Sequence, residues 1–419
     1  VPHGDRTATQ GHPPLRVYYV HAAASAYAFA VFATLSSIYR IRDVGLGPFE
    51  LVLVGTVLEA TVLLTELPTG VVADTISRRL SVLVGTVLIG LGFMLEGLVP
   101  VFASVLAAQM VWGLGASFES GALEAWLSDE IGEARANVAF LRAAQLRQAG
   151  LLLGIPFAAW LGSVTLGFPL IFGGAVFLVL AAYLALAMRE RSFAPAEAAH
   201  RNPVRSMRAT LVRAASAARR RPLIGTILIV AVFVGASSET FDRLWEARLL
   251  AGPGLPAGVA APLAFGVLAA VTAVLGIGVA ELAHRALRRN DARGGGRRIL
   301  VAWLAAAMAV QALAVAAFGL AGRLDLAVAT YLAARVAGRL HVPLYTAWLN
   351  RELEPSTRAT AFSSAGVADA LGQVLGGPLL GLIAALAGMP AAFVASALLL
   401  GPAAALLGRT WSRESPAVG

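Results

Sequence analysis

The decapeptide GVVADTISRR, residues 70–79, ends one apolar run and opens another. Before it lies LVLVGTVLEATVLLTELPT, residues 51–69, and after it LSVLVGTVLIGLGF, residues 80–93. A hydrocarbon core roughly 30 Å thick takes about 20 helical residues to cross, and both flanks approach that length. The decapeptide therefore reads as a short charged joint between two membrane helices. A joint this short forces them antiparallel.

The rest of the chain repeats the pattern. Of 419 residues, 58% are hydrophobic and 14% charged, far more apolar surface than a soluble fold of this size covers. A porin-type barrel would show short alternating segments, and the sequence has none. About twelve spans emerge, at roughly 15–39, 48–72, 80–99, 101–129, 136–163, 167–188, 222–249, 256–284, 298–321, 324–351, 357–386 and 389–409. The long polar segment at 189–221 splits them six and six. The expected fold is an all-α membrane protein of twelve transmembrane helices in two pseudo-symmetric bundles, 1–188 and 222–419, joined by that basic linker. Within the linker Met207, Leu211 and Ala215 fall at helical spacing among arginines, the pattern of a helix lying on the inner leaflet.

The net charge is +9, and all 33 basic residues are arginine. They gather in alternate loops: Arg78 and Arg79, Arg135, the linker, the run from Arg285 to Arg298, Arg351 with Arg358, and the tail Arg409 and Arg413. The positive-inside bias then places both termini and the linker in the cytoplasm of a multi-pass protein of the cell's inner (plasma) membrane. Positive charge between apolar runs points to lipid headgroups, so no nucleic-acid partner is expected. The absence of lysine excludes a P-loop. With no cysteine and no paired histidines, neither a disulfide framework nor a metal site is expected. Neither His-Glu-x-x-His nor Gly-x-Ser-x-Gly occurs, and the chain reads as no enzyme.

An internal repeat sharpens the six-plus-six division. The segment from Ala122, ALEAWLSDEIGEARANVAFLRAAQLRQAGLLLGIP, lies without a gap on the segment from Leu344, LYTAWLNRELEPSTRATAFSSAGVADALGQVLGGP. The shift is 222 residues. It carries Trp126 onto Trp348, Glu130 onto Glu352, and Gly150, Gly154 and Pro156 onto Gly372, Gly376 and Pro378. Such a run reads as duplication of a six-span half.

A charged joint between spans two and three of a duplicated six-plus-six chain resembles the major facilitator superfamily. Its loop pattern there is G-x-x-x-D-x-x-G-R-K/R, matched by Gly70, Asp74, Arg78 and Arg79, with Ser77 where a second glycine is usual and Thr75 where a basic residue is common. The resemblance covers essentially the whole chain and is closest in character to the twelve-helix drug/proton antiporters. It implies a cytoplasmic latch. Gly70 would allow close helix approach. Asp74 would accept from the start of the eleventh helix near Ser356 and Thr357. Arg78 or Arg79 would reach Asp129. GLGAS, 113–117, resembles the end of the fourth-helix pattern, but Gln109 replaces its arginine. The fifth-helix exporter pattern is blurred at 150–162, with a closer copy, GQVLGGPLLG, at 372–381.

Ionisable groups at mid-depth cost about 2.5–3.5 kcal/mol each, so a chain that keeps several is expected to use them. The candidates for substrate and coupling are Glu59, Glu119, Arg147, Glu239, Asp242, Arg335, Arg339, Asp369 and His21. Glu119 and Arg147 lie at one depth on neighbouring spans and are expected to pair. The repeat sets Arg147 against Asp369 and Glu119 against His341. Arg335 and Arg339, one turn apart, share a face near the depth of Asp369. Glu59 is the acid chosen for proton coupling. Glu239 and Asp242 read either as an external gate or as a wet helix end, and His21 either as a titrating group or as a packed one. The chain is expected to act as a monomeric secondary transporter of a small organic molecule by alternating access, as a proton-coupled exporter, with the proton its coupling ion and no other cofactor. The alternatives are an importer or uniporter and, further off, a membrane sensor or enzyme.

Overall fold

The computed structural model describes residues 13–195, 222–291, 296–352 and 355–412. The stretch carrying Met207, Leu211 and Ala215 lies outside the described residues, as does Arg413. Thirteen helices account for nearly all of what is described: α1 Pro13–Arg42, α2 Pro48–Thr75, α3 Arg78–Leu98, α4 Phe102–Glu119, α5 Ala122–Ile131, α6 Glu133–Gly162, α7 Gly167–Ala187, α8 Pro222–Ala251, α9 Ala261–Asp291, α10 Gly296–Leu320, α11 Leu324–Glu352, α12 Pro355–Ala387 and α13 Met389–Ser412.

Twelve of these are long and α5 has ten residues, in keeping with an all-α membrane fold. Nine are apolar enough by length and composition to cross a membrane. The long helices that fall short are α4, α6 and α11, which carry Glu119, Arg147, and the pair Arg335 and Arg339. Polar cargo in the sequence is what lowers their hydropathy.

One boundary differs from the sequence expectation. The span expected at 101–129 is two helices, because Gly121 adopts φ +70° between α4 and α5. Only glycine takes that left-handed conformation without a Cβ clash. A hydropathy run continues across such a break unmarked.

The chain packs as two compact units, divided within α2 after Glu59 and within α9 after Val267. Leu46–Glu59 belongs with the second unit, and Ala260–Val267 with the first.

Each unit has its own packing, and the two follow one scheme. In the first, α1 packs on α6 and α7, and α3 on α4 and α7. In the second, α8 packs on α12 and α13, and α10 on α11 and α13. The glycines paired by the 222-residue shift mark the same crossing in each. A Cβ at Gly150 would lie 2.5 Å from the Ala23 carbonyl oxygen, and one at Gly154 would lie 2.7 Å from Ala30 Cβ. Gly372 presses on the Val232 carbonyl and Gly376 on Ala236 in the same way. Small residues let membrane helices approach to backbone contact.

The cores correspond too. Phe93 stacks on Phe32 at 3.7 Å between ring centroids and meets Phe177 edge-on, while Phe318 meets Phe241 and Phe393 edge-on. Trp126 and Trp348, paired by the repeat, are both buried.

Candidate functional site

In the second unit, Arg243 of α8 stands between two carboxylates. Its Nε lies 3.4 Å from Glu239 Oε2, one turn back on the same helix, and its terminal nitrogen lies 3.9 Å from Glu59 Oε1 on α2. Gly55 clears the space, since a Cβ there would overlap the Arg243 guanidinium. Glu239 is 1% exposed, so this part of α8 is no wet helix end. Asp242, the next acid along α8, pairs with Arg335 of α11. Asp369 of α12 accepts from Gln373 Nε2 at 2.8 Å and lies within electrostatic reach of Glu59 and Asp242. Asp369 and Arg335, expected at similar depth, form no ion pair. Arg335 turns to α8 instead, where Phe241 and Trp245 offer ring faces to its guanidinium.

The first unit holds a separate polar cluster. Glu119, at the end of α4, pairs with His21 Nε2 of α1, both side chains largely buried. That contact is a charge pairing and no aligned hydrogen bond, and both ring nitrogens of His21 are buried without a hydrogen-bond partner. The expected Glu119–Arg147 pair does not form. Arg147 donates to the Tyr18 hydroxyl at 3.4 Å and lies over its ring, and that hydroxyl reaches Glu124 Oε1 at 3.5 Å. Equal depth does not fix azimuth: each residue step turns a helical side chain by about 100°, and α1 interposes His21 and Tyr18. His341, the repeat counterpart of Glu119, stacks on Tyr345 with Nε2 buried and unpartnered.

Nearer the other end of the first unit is a network that the sequence does not announce. Arg40, the last buried residue of α1, clasps Glu96 of α3 through two hydrogen bonds of 2.7 and 3.1 Å. Gln109 Nε2, standing where the family pattern has arginine, donates to the same carboxylate at 2.7 Å. Arg40 reads from the sequence as a loop residue because α1 extends past the apolar run that defines its span.

The charged joint itself is well defined. Ser77 caps α3, its Oγ accepting from Leu80 N at 2.9 Å. Of the two candidate arginines, Arg78 pairs with Asp129 of α5. Arg79 turns to the end of α7, donating to the Met188 carbonyl at 2.7 Å and the Ala185 carbonyl at 2.8 Å, where helix-end carbonyls lack partners. Glu190 joins the joint without having been singled out, accepting from Ser77 Oγ at 2.6 Å and from Arg79 N at 3.1 Å. Its signal was only an acid between arginines after the sixth span. Trp126 Nε1 donates to the Arg189 carbonyl at 2.8 Å, and Glu130 accepts from Arg191 N and Ser192 N.

Asp74 is exposed at the end of α2, and the side chains of Ser356 and Thr357 lie outside those described. Gly70 differs from expectation: a Cβ there would have nothing within 4 Å. That part of α2 packs instead through Thr65 and Thr69, which bond Ser117 of α4 at 2.8 and 2.9 Å, and Gly70 is turned off that face.

Duplicated packing, twelve long helices and the Ser77–Arg79 joint at one place in the chain belong together in one family. Residues 19–337 match the profile of the Major Facilitator Superfamily. The chain belongs to that superfamily. Its coarse activity is therefore membrane transport, by a multi-pass protein. The uncharacterized MFS-type transporter YxaM of Bacillus subtilis (strain 168) is 23% identical over 392 residues, covering 92% of this chain and 93% of its own. Among solved structures, a bacterial homologue of the human lysosomal transporter Spinster is similar with a TM-score of 0.74 at 17% identity, over 99% of this chain and 100% of that one. The nucleoside transporter NupG is similar with a TM-score of 0.75 at 12% identity, over 95% and 99%. These two likenesses bear on the fold.

Proposed function

We propose that the chain is a secondary active transporter that moves a small organic molecule by alternating access, coupled to protons and directed outward across the inner (plasma) membrane. Its working parts are the six-helix halves 1–188 and 222–419, and the protein acts as a monomer with the proton as its coupling ion. The observation that carries the reading is the ratio of charges around Arg243: four carboxylates, Glu59, Glu239, Asp242 and Asp369, share two guanidiniums, Arg243 on Glu59 and Glu239 and Arg335 on Asp242. Carboxylates in excess of cations inside a membrane favour sharing protons, because each unpaired negative charge there is costly.

Glu59 is the proton carrier in this reading. It is the last residue of α2 that belongs to the second unit, so any movement carrying the rest of α2 pulls on its contact with Arg243. His21 with Glu119 is the second polar pair assigned to substrate or coupling. The joint of Arg78, Arg79, Asp129 and Asp74 serves as the cytoplasmic latch. The copy of the exporter glycine pattern in α12 supports outward direction.

Everted vesicles carrying the chain, acidified inside and offered a mixture of small metabolites and xenobiotics, should accumulate at least one compound that vesicles lacking the chain do not. Mass spectrometry of the lumen reads the result. An uncoupler and Glu59→Gln should each abolish accumulation. Accumulation that survives the uncoupler removes proton coupling, and accumulation confined to right-side-out vesicles makes the chain an importer.

A further inference from the structure

Several arginines of the first unit are spent on partners: Arg40 on Glu96, Arg78 on Asp129 and Arg147 on Tyr18. Others are exposed, with no side-chain hydrogen bond or ion pair to the described residues. They include Arg135 at the start of α6, Arg189 just past α7 and, in the second unit, Arg339 of α11, where Gly276 of α9 makes room for the guanidinium. Arg189 borders a cavity of about 390 Å³ whose walls are Arg79, Ala185, Leu186, Met188, Arg189 and Glu190. Small-molecule sites run from roughly 300 to 1,000 Å³, so the space suits a small polar group.

The walls are set before anything enters. Trp126 Nε1 holds the Arg189 carbonyl at 2.8 Å, and Glu130 holds the amides of Arg191 and Ser192, which fixes this backbone while the Arg189 side chain stays free. Arg79 gives Nε and one terminal nitrogen to the Met188 and Ala185 carbonyls, and its other terminal nitrogen has no hydrogen bond among the described residues. Glu190 would repel an anion, but its two oxygens already accept from Ser77 Oγ and Arg79 N. Two guanidiniums against one carboxylate leave the cavity walls with one positive charge. A phosphodiester brings one negative charge and oxygens that match the guanidinium N–H groups.

The depth of the cavity points to the source of that phosphate. Both α3 and α7 are long and apolar enough to cross a membrane, and the cavity lies where α3 begins and α7 ends, at the level of lipid headgroups. Leu186 in its wall is exposed, as is Leu80 next to Arg79. Apolar side chains here suit the head of an acyl chain, which a soluble phosphate lacks.

We propose that this cavity binds an anionic membrane phospholipid, with Arg79 and Arg189 on the phosphodiester and Leu186 against the acyl region. A zwitterionic lipid fits less well, since its headgroup sets a cation beside two guanidiniums. The site assigns no cargo and stands apart from the transport reading.

The test is native mass spectrometry of the purified full-length protein in detergent, titrated separately with the dioctanoyl forms of phosphatidylglycerol, phosphatidylethanolamine and phosphatidylcholine and with glycerol 1-phosphate. Phosphatidylglycerol should bind at least about fivefold more tightly than the other three, the factor expected of one unbalanced charge near the membrane surface. Arg189→Gln should weaken it about fivefold by the same reasoning, whereas Arg135→Gln, an exposed arginine away from the cavity, should leave it unchanged. Arg79→Gln should weaken it at least as much as Arg189→Gln; if loss of its bonds to α7 prevents folding, Arg189→Gln still decides. Equal binding of phosphatidylglycerol and phosphatidylcholine, a preference for phosphatidylethanolamine, or wild-type binding by Arg189→Gln overturns the proposal. Equal losses in Arg189→Gln and Arg135→Gln replace the site with diffuse surface charge and overturn it too. Glycerol 1-phosphate that binds as tightly as the lipid makes the cavity a site for soluble phosphate compounds and overturns the lipid assignment.

Discussion

The fourth long helix of each half solves one problem in two ways. The 222-residue shift lays α4 and α5 on α11, and it sets Gly121, whose left-handed turn ends α4, against Pro343, which α11 keeps within an unbroken helix. The same shift sets Gly113 and Ser117 against Arg335 and Arg339, and Glu119 against His341. In the first half this helix is built for packing. Gly115 and Gly85 bring α4 and α3 to backbone contact, and Ser117 serves α2. In the second half the equivalent positions carry guanidiniums. A duplicated framework has kept its crossings and its weak point in helix four while giving one copy close packing and the other a pair of guanidiniums.

The end arginines show the same divergence. Arg40 is neutralised by Glu96, whereas buried Arg248 donates to the Gly319 and Ala321 carbonyls at 3.0 and 2.8 Å, at the end of α10. The first solution places a true charge pair in the interior and the second borrows the negative end of a helix. The largest effect is therefore expected at Glu96→Gln, which leaves Arg40 buried without an anion at a cost of about 3–5 kcal/mol. Arg248→Gln strands no charge and should cost about 1.5–3 kcal/mol. Thermal unfolding in detergent compares the two, and equal losses would erase the distinction. The double variant Arg40→Leu with Glu96→Leu should recover most of the first loss.

Next in size is Gly115→Val. A Cβ there would lie 2.8 Å from the Gly85 carbonyl oxygen and from Ile89 N, and backbone cannot step aside, so a loss of about 1–3 kcal/mol is expected. The repeat counterpart, Ala337, already carries a buried methyl. Ala337→Gly should therefore cost about 1–2 kcal/mol, through helix propensity and the loss of that methyl. A tolerated valine at 115 would show that α4 and α3 separate easily.

Smaller and opposite in sign are the two break positions. Gly121→Ala should destabilise by about 1–2 kcal/mol because its backbone is left-handed, while Pro343→Ala should be neutral or stabilising because proline weakens a helix interior. If both variants slow transport in the vesicle assay, the weak point serves the transport cycle in each half. A small loss of stability is also expected for Arg78→Ala. Its pair with Asp129 is partly exposed and worth at most about 1 kcal/mol, so a change in transport rate at unchanged melting temperature would mark it as a latch.

Much of this organisation was legible in the sequence because it rests on composition and spacing. Hydropathy gave the twelve spans. The gapless repeat located Gly150, Gly154, Gly372 and Gly376, which the structure places at equivalent crossings. The joint offered Asp129 either Arg78 or Arg79, and the structure gives it Arg78. What stayed hidden depends on azimuth and on backbone conformation. Depth alone suggested Glu119 with Arg147, yet rotation about the helix axes gives Glu119 to His21 and Arg147 to Tyr18. Gly70 carries the motif letter but faces open space, because Thr65 and Thr69 define the packed face of α2. The break at Gly121 leaves no mark on hydropathy, and Glu190 is one acid in a basic tract until Ser77 and the Arg79 amide are seen to hold it.

The grip of Trp126 and Glu130 on residues 189–192 shortens what an engineer can treat as spare chain between the halves. A protease cleavage site or fluorescent tag spliced in at Arg189 would tear an indole and a carboxylate from their amides and loosen the root of the seventh helix. The same cassette placed a few positions later, beyond Ser192, would leave that anchorage whole and report on the connector alone.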